Sequence, residues 1–331
     1  MRILIIGGTR FVGRHITQAA LAAGHEVTLL HRGRSGAELF PDAVHLTADR
    51  DQDLSVLKGM QWDATIDVSA YRPRQVTELA QALDGNGGQY VYISSVSVYE
   101  PPTHPEYPED SPVRTLPPGQ VPDVVDEQTY GPLKVLCEQA ASEHFGPGTL
   151  VIRPTYVIGP HDHSGRFTYW VQRIARGGEV LAPGYPDRPI QLIDARDQGA
   201  FIVSAVAAGL AGTFHTVGPS MPFSGMLNAI AEALAPAGTR LTWVDPQFLL
   251  DAGQTGSSLP LWYAGDGDDA RINTAGPAAA IGAGLVLRPL SQSILDIAQA
   301  EGPVTGFLEQ DEESRLLAAW HGLGRGESGS A

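Results

Sequence analysis

Tyr130-Gly131-Pro132-Leu133-Lys134 sets a phenol and an ammonium at i and i+4, the spacing that brings two side chains onto one helix face. A phenol titrates near 10 and is too weak an acid for chemistry at neutral pH. A neighbouring ammonium favours the phenolate and brings the group towards working range. Tyr130 could then pass a proton to or from a substrate oxygen while hydride moves at the adjacent carbon. Upstream, Tyr90-Val91-Tyr92-Ile93-Ser94-Ser95-Val96-Ser97-Val98-Tyr99 is a β-rich run that ends in serines. A hydroxyl there can hydrogen-bond the same oxygen. Ser94 reads as ordinary strand-end capping.

A second constellation is the glycine turn Gly7-Gly8-Thr9-Arg10-Phe11-Val12-Gly13, which follows an apolar strand and opens a helix. Glycine there allows a tight turn and close backbone approach to a pyrophosphate, and the helix N-terminus offers N–H groups to the anion. Arg10 stands where the commonest pattern has glycine. The second strand ends His31-Arg32-Gly33-Arg34, with no Asp or Glu to accept from a ribose 2′-OH. Arg10 and Arg32 suit a 2′-phosphate instead. The expected cofactor is therefore NADP(H) rather than NAD(H), with Lys134 on the nicotinamide ribose. Asp49 is expected at the adenine, with a turn role as the bland reading.

The elements that must position these groups follow from periodicity. Strands are expected at 2–6, 26–30, 43–46, 64–68, 90–94 and 150–152. Helices are expected at 14–23, 74–83 and 130–144. Short apolar strands alternating with helices predict a doubly wound, Rossmann-type α/β fold with a parallel sheet. Past Pro154 the rhythm breaks, with helices at 167–176, 197–208 and 226–234 among Gly/Pro turns, and a last amphipathic helix at 311–321. The expected division is a nucleotide-binding domain at 1–155 plus about 190–218, and a smaller substrate-binding region at 156–189 and 219–321. Residues 322–331 read as a flexible tail. Pro101–Pro122 holds eight prolines and cannot be a helix or a central strand, so it reads as a stiffened active-site loop.

Composition narrows the classes. The chain has 331 residues, a net charge of −15, and 43% hydrophobic residues, enough for a packed core. The acidic balance argues against a nucleic-acid partner. A single cysteine, Cys137, excludes an internal disulfide and a Cys-rich zinc site, and reads as packing rather than as a nucleophile. No apolar run reaches the ~18 residues of a membrane span, and the start lacks a signal-peptide pattern, so a cytoplasmic enzyme is expected. His161-Asp162-His163 has proper metal ligands, but nothing completes a cluster and no metal is expected. Arg166, Tyr169 and Arg188 could hold a diphosphate and a base.

In this order the glycine turn, the Ser strand end and Tyr130…Lys134 resemble the extended short-chain dehydrogenase/reductases, the superfamily of nucleotide-sugar epimerases, dehydratases and related reductases. Ile152-Arg153-Pro154 through Gly159-Pro160, Leu192-Ile193-Asp194-Ala195-Arg196-Asp197 and Arg288-Pro289-Leu290 also match, so the resemblance reaches to about residue 300. It implies Ser95 as the catalytic hydroxyl, Tyr130 as acid/base and Lys134 as its partner. It implies Ser69, Ala70 and Pro154 beside the cofactor, and Ser97 and His163 beside the substrate. It also implies a cleft between the two regions, and a homodimer through helices 74–83 and 130–144, where Val76, Leu79 and Leu83 form an apolar stripe. Dehydratases follow the catalytic Ser/Thr with Asp and Glu. Here Val96 and Ser97 follow, so carbonyl reduction, alcohol oxidation or epimerisation of a sugar-like or nucleotide-sugar substrate is expected. The glycine turn resembles that of a divergent subgroup that includes the chloroplast stem-loop RNA-binding proteins. A non-catalytic nucleotide-binding or RNA-interacting scaffold, or an NADP(H) sensor, is therefore the alternative.

Overall fold

The computed structural model describes residues 1–117, 119–265, 270–300 and 302–326. In chain order the elements are β1 (Arg2–Ile6), α1 (Phe11–Ala22), β2 (Glu26–His31), β3 (Val44–Thr47), β4 (Ala64–Asp67), α2 (Pro73–Leu83), β5 (Gln89–Ile93), α3 (Tyr130–Phe145), β6 (Leu150–Pro154) and β7 (Tyr156–Ile158). They continue with α4 (Arg166–Ala175), β8 (Glu179–Pro183), β9 (Pro189–Asp194), α5 (Ala195–Ala207), β10 (Gly212–Thr216), β11 (Ser220–Pro222), α6 (Phe223–Leu234) and β12 (Arg240–Val244). The chain divides into two compact units. Unit 1 is Met1–Ile158, Gln191–Pro219 and Arg271–Arg288, and unit 2 is Gly159–Ile190, Ser220–Ala270 and Pro289–Ala331. The segment 271–288, which the sequence reading gave to the substrate region, falls in unit 1.

Unit 1 is built on a seven-stranded sheet in the order β10-β6-β5-β4-β1-β2-β3, with parallel pairing throughout the sheet. This is the doubly wound order, extended by β10. The register sets Ile3 beside both Val27 and Ala64. Side chains alternate across β1: Ile3 and Ile5 enter one core with Ile16, Leu29, Ile66, Phe201 and Ile202. Leu4 and Ile6 enter the other with Leu30, Leu79, Tyr90, Tyr92 and Cys137. Both faces are covered, which is why β1 reads as a continuous apolar run. The strand order reverses between β1 and β4, so the carboxyl ends of these two strands flank the crevice where such sheets bind ligands.

Two expectations change here. Helix α1 starts at Phe11 rather than Arg14, because Gly13 lies inside the helix where it had been read as part of the turn. The stripe Val76, Leu79 and Leu83 is 0–2% exposed and packs inside unit 1. It is core and offers nothing to a second chain.

In unit 2, β8 pairs with β12 in parallel, and α4 carries the buried Trp170, whose Nε1 donates to Pro260 O at 2.7 Å. Arg173 on α4 and Glu313 on the last helix form a buried ion pair at 2.5 Å, and Glu313 Oε1 also accepts from the Leu181 N–H. That last helix runs Gln310–Gly326, so 322–326 is helical where a flexible tail was expected, and 327–331 lies outside the described residues. Among the described residues no helix is long and apolar enough to cross a membrane.

Candidate active site

The glycine turn sits at the strand reversal. Gly7 takes φ +86°, and a Cβ there would lie 3.2 Å from Ser69 Cβ, so the end of β1 touches the segment after β4. A Cβ on Gly13 would lie 2.1 Å from Gly7 O, closer than any side chain permits. Thr17 Oγ1 lies 2.9 Å from Gly8 O and 2.8 Å from Gly13 O and shares its one proton between them, fastening the turn to the helix. Helix α1 opens with no side-chain cap and no acid in its first turn. A helix start left this way favours an anion at its N-terminus. The turn therefore fits a pyrophosphate.

Around it, Arg10, Arg32 and Arg34 are exposed, and among the described residues none of their side chains makes a hydrogen bond or an ion pair. His31 is different. Its Nδ1 accepts from the Gly33 N–H at 3.0 Å, its Nε2 lies 2.9 Å from His45 Nδ1, and His45 Nε2 faces Phe40 O at 3.2 Å. Burial, with His45 beside it, lowers the His31 pKa. Its ring braces the loop after β2 instead of reaching outward. Asp49 Oδ1 accepts from the Asp51 N–H at 3.1 Å, the turn role that was the bland reading. Next to it, Arg50 and Asp67 form a buried bidentate pair at 2.7 and 2.8 Å. Asp67 also accepts from the Tyr90 hydroxyl at 2.9 Å and from the Ser69 N–H at 3.1 Å. Burial opposes the Asp67 charge, but Arg50 outweighs it and holds the carboxyl below its usual range.

The second group gathers at the ends of β4, β5 and the start of α3. Lys134 is 3% exposed, and its Nζ donates to Ala70 O at 3.0 Å and Ile93 O at 2.8 Å. Three tyrosine rings surround the ammonium: Tyr92 at 4.8 Å, Tyr71 at 4.9 Å and Tyr130 at 5.8 Å. Burial pulls the Lys134 pKa below the usual lysine value, with Tyr71 opposing. Ser95 Oγ accepts from the Ser97 N–H and donates to Ser97 Oγ, both at 3.1 Å. A Cβ on Gly131 would lie 2.1 Å from Ser97 O, so glycine is what allows α3 to press onto this turn. Gly131→Ala must push the two backbones apart. Overpacking of this kind costs about 1–3 kcal/mol, and a thermal melt of the variant should show the loss.

Ser94 donates to Glu138 Oε1 at 2.5 Å, one helical turn beyond Lys134. Arg153 grips the same carboxylate at 2.9 and 2.6 Å and also donates to the Tyr99 hydroxyl at 2.5 Å. Tyr99 meets His215 Nε2 at 2.6 Å, and the His215 N–H donates to Glu109 at 3.0 Å. Glu109 lies in the proline-rich segment, so this buried network ties that segment down. Tyr99 bridges Val113, Tyr107 bridges Ala275, and the Tyr107 hydroxyl donates to Ile272 O at 2.7 Å. The first half of 101–122 is thus a clamp fastened on both sides rather than a loop standing free over the site. Pro118 lies outside the described residues.

The family model of the NAD dependent epimerase/dehydratase family matches residues 3–218. The chain belongs to that family. It is 26% identical to the chloroplast stem-loop binding protein of 41 kDa b from Arabidopsis thaliana, over 70% of this chain and 63% of that protein. A human epimerase family protein is 32% identical over 34% of this chain and 43% of its own length. The chain therefore spans less than two thirds of these relatives. Among solved structures, UDP-glucose 4-epimerase from Thermotoga maritima with UDP-glucose superposes with a TM-score of 0.69 at 16% identity, covering 91% of this chain and 98% of that one. The Bordetella bronchiseptica enzyme WbmH in complex with NAD+ gives 0.66 at 19% identity, covering 88% and 95%. Both likenesses show the fold.

In this epimerase/dehydratase-family chain the expected substrate residues of unit 2 do not behave alike. Arg188 Nη1 donates to Tyr263 O at 2.7 Å, and its guanidinium stacks 3.8 Å over the Tyr185 ring. Arg166 is exposed, with Nε 3.2 Å from Ser164 Oγ. Tyr169 is 5% exposed, packed on Trp170 and Phe307, and lines a cleft of about 450 Å³ within unit 2. The carboxyl beside His163 accepts twice from Ser164, which spends Asp162 on a turn. Cys137 lies in the core, and burial pushes its thiol up to about 11. Sequence reading missed Tyr71, Glu138 and the Arg50–Asp67 pair. Glu138 was findable, because it follows Lys134 by one turn. An acid closing a short strand, next to an apolar Ile66, was a signal for Asp67. Nothing in the periodicity pointed to Tyr71.

Proposed function

We propose that this family member is an NADP(H)-dependent oxidoreductase or epimerase, working at an alcohol or ketone carbon of a sugar-like substrate of the nucleotide-sugar class. The observation that carries the reading is the Lys134 ammonium, which is buried beneath Tyr130 and, among the described residues, hydrogen-bonds backbone carbonyls and sits among tyrosine rings. The two carboxylates in its field, Asp67 and Glu138, are already held by Arg50 and Arg153. The positive charge is therefore left to act on the half-buried Tyr130 phenol. Tyr130 serves as the acid or base at the substrate oxygen, and Ser95 donates a hydrogen bond to that oxygen. A bound nicotinamide dinucleotide supplies the hydride acceptor or donor. Gly7, Thr9, Phe11, Val12 and Gly13 receive its pyrophosphate, with Ser69, Ala70 and Pro154 lining the same crevice. Ser97, His163, Arg166, Tyr169 and Arg188 remain the candidates for substrate contacts. A homodimer through the outer faces of α2 and α3 and a cytoplasmic location belong to the same reading.

The arginines make the cofactor preference testable. Three uncommitted guanidiniums beside a turn without an acidic partner favour a 2′-phosphate. Arg10→Ala with Arg32→Ala should weaken NADP+ binding by about 10–100-fold, the loss of one or two charge-assisted contacts, and leave NAD+ binding nearly unchanged. Isothermal titration with both dinucleotides reads this directly. Equal losses for the two, or none, would assign the site to NAD(H).

The scaffold reading is supported by the likeness to the chloroplast stem-loop binding protein. The net charge of −15 and the buried Lys134 beneath Tyr130 weigh against it.

A further inference from the structure

We propose that Tyr71 is a positioning residue for the Tyr130–Lys134 pair, its ring forming the solvent-side wall that keeps water off the Lys134 ammonium. The inference rests on the reading of Tyr130 as the acid or base. Tyr71 follows Ala70, whose carbonyl accepts from Lys134 at 3.0 Å, and its own N–H donates to Gln75 Oε1 at 2.8 Å, which fixes the backbone there. Its ring centroid lies 4.9 Å from Nζ and 6.2 Å from the Tyr130 ring, tilted by 45°. On the interior side the ammonium meets Tyr92, which is fully buried and whose hydroxyl donates to Ala70 O at 3.1 Å. Tyr71 itself is 42% exposed, while Lys134, the residue it covers, is 3% exposed. One face of this ring is therefore wet and the other dry.

The groups that face the ammonium are Tyr71, Tyr92, Tyr130, Cys137, and, further off, Asp67 and Glu138. Asp67 comes from β4, Cys137 and Glu138 come from α3, and each carboxylate already has its arginine. The thiol is neutral, since burial raises its pKa. What decides how strongly the ammonium acts on Tyr130 is then the medium between them. A charge acts several-fold more strongly through protein than through water. Removing the ring admits water and weakens the hold of the ammonium on the Tyr130 phenolate.

The test needs no substrate. Ultraviolet titration of phenolate formation is run on the full-length protein and on its Tyr130→Phe variant, and the difference isolates Tyr130. The same subtraction is made in Tyr71→Ala, Tyr71→Ser and Tyr71→Phe backgrounds. The Tyr130 midpoint is expected to rise by about one pH unit in the alanine and serine backgrounds, the lower end of what a neighbouring charge does. The phenylalanine background should keep the original midpoint, because the ring and not the hydroxyl is the wall. Equal midpoints in all four backgrounds overturn the proposal, as does a phenylalanine background that shifts like alanine. A Tyr130 midpoint near 10 in the otherwise unchanged protein overturns the acid/base reading itself, and this inference with it. A depressed midpoint that ignores Tyr71 overturns this inference alone.

Discussion

Tyr130→Phe is expected to abolish turnover while cofactor binding persists. The phenylalanine keeps the ring that packs 6.2 Å from Tyr71 and loses only the hydroxyl. A proton relay of this kind contributes about 10²–10⁴-fold, and the loss should fall on kcat with little change in the dinucleotide affinity. Nicotinamide reduction, together with product analysis of the sugar nucleotides for redox-neutral epimerisation, gives the rate over a panel of UDP-hexoses, and titration with NADP+ gives the affinity. Normal turnover in the variant would sink the mechanism. A protein that binds NADP+ tightly and turns over nothing in either form is the sensor of the alternative reading. Lys134 distinguishes itself in the same assay. Lys134→Met should damage folding as well as rate, because its ammonium joins Ala70 after β4 to Ile93 at the end of β5.

Asp67→Ala carries the largest expected stability effect. It strands the Arg50 guanidinium, 8% exposed, with its main partner gone. Breaking one half of a buried pair costs about 3–5 kcal/mol, because an uncompensated charge is left inside. The urea midpoint reports it, and Arg50→Met with Asp67→Leu should recover most of the loss, as apolar replacements of whole buried pairs do. The sign with pH follows from the depressed Asp67 pKa. An unfolded aspartate titrates near 3.9, and the native one lower. The contribution is complete at neutral pH, begins to fail as pH falls below ~4, and is gone once Asp67 protonates in the folded state. An Asp67→Ala variant with wild-type stability at neutral pH would remove the pair from the account of this fold.

Much of the architecture was legible because it rests on local patterns. Six of the seven strands of the main sheet could be read from apolar runs, since both faces of a parallel sheet are buried and the run needs no alternation. The seventh, Gly212-Thr213-Phe214-His215-Thr216, escaped because it lies at the sheet edge, opens with glycine and carries polar residues. Its His215 points into the Tyr99–Arg153 network, a partnership across more than a hundred residues of chain that no local pattern encodes. The proline-rich segment was read correctly as neither helix nor central strand. Its role as a clamp depends on Tyr107 and Glu109 finding distant partners. His31 shows the same limit: its contact with His45 at 2.9 Å, from β2 to β3, follows from no local pattern.

The residue types therefore pointed to the parallel α/β class, to the glycine turn between β1 and α1 and to Tyr130 and Lys134 lying side by side, because each depends on spacing along one strand or one helix. Tertiary structure alone decided which charges are free to act. Arg10, Arg32 and Arg34 stand open while Arg50 and Arg153, equally cationic in the sequence, are consumed by Asp67 and Glu138. It also placed Tyr71 over Lys134. The reason is electrostatic: a charge is worth what its surroundings leave unscreened and unpaired, and those surroundings come from strands far apart in the chain.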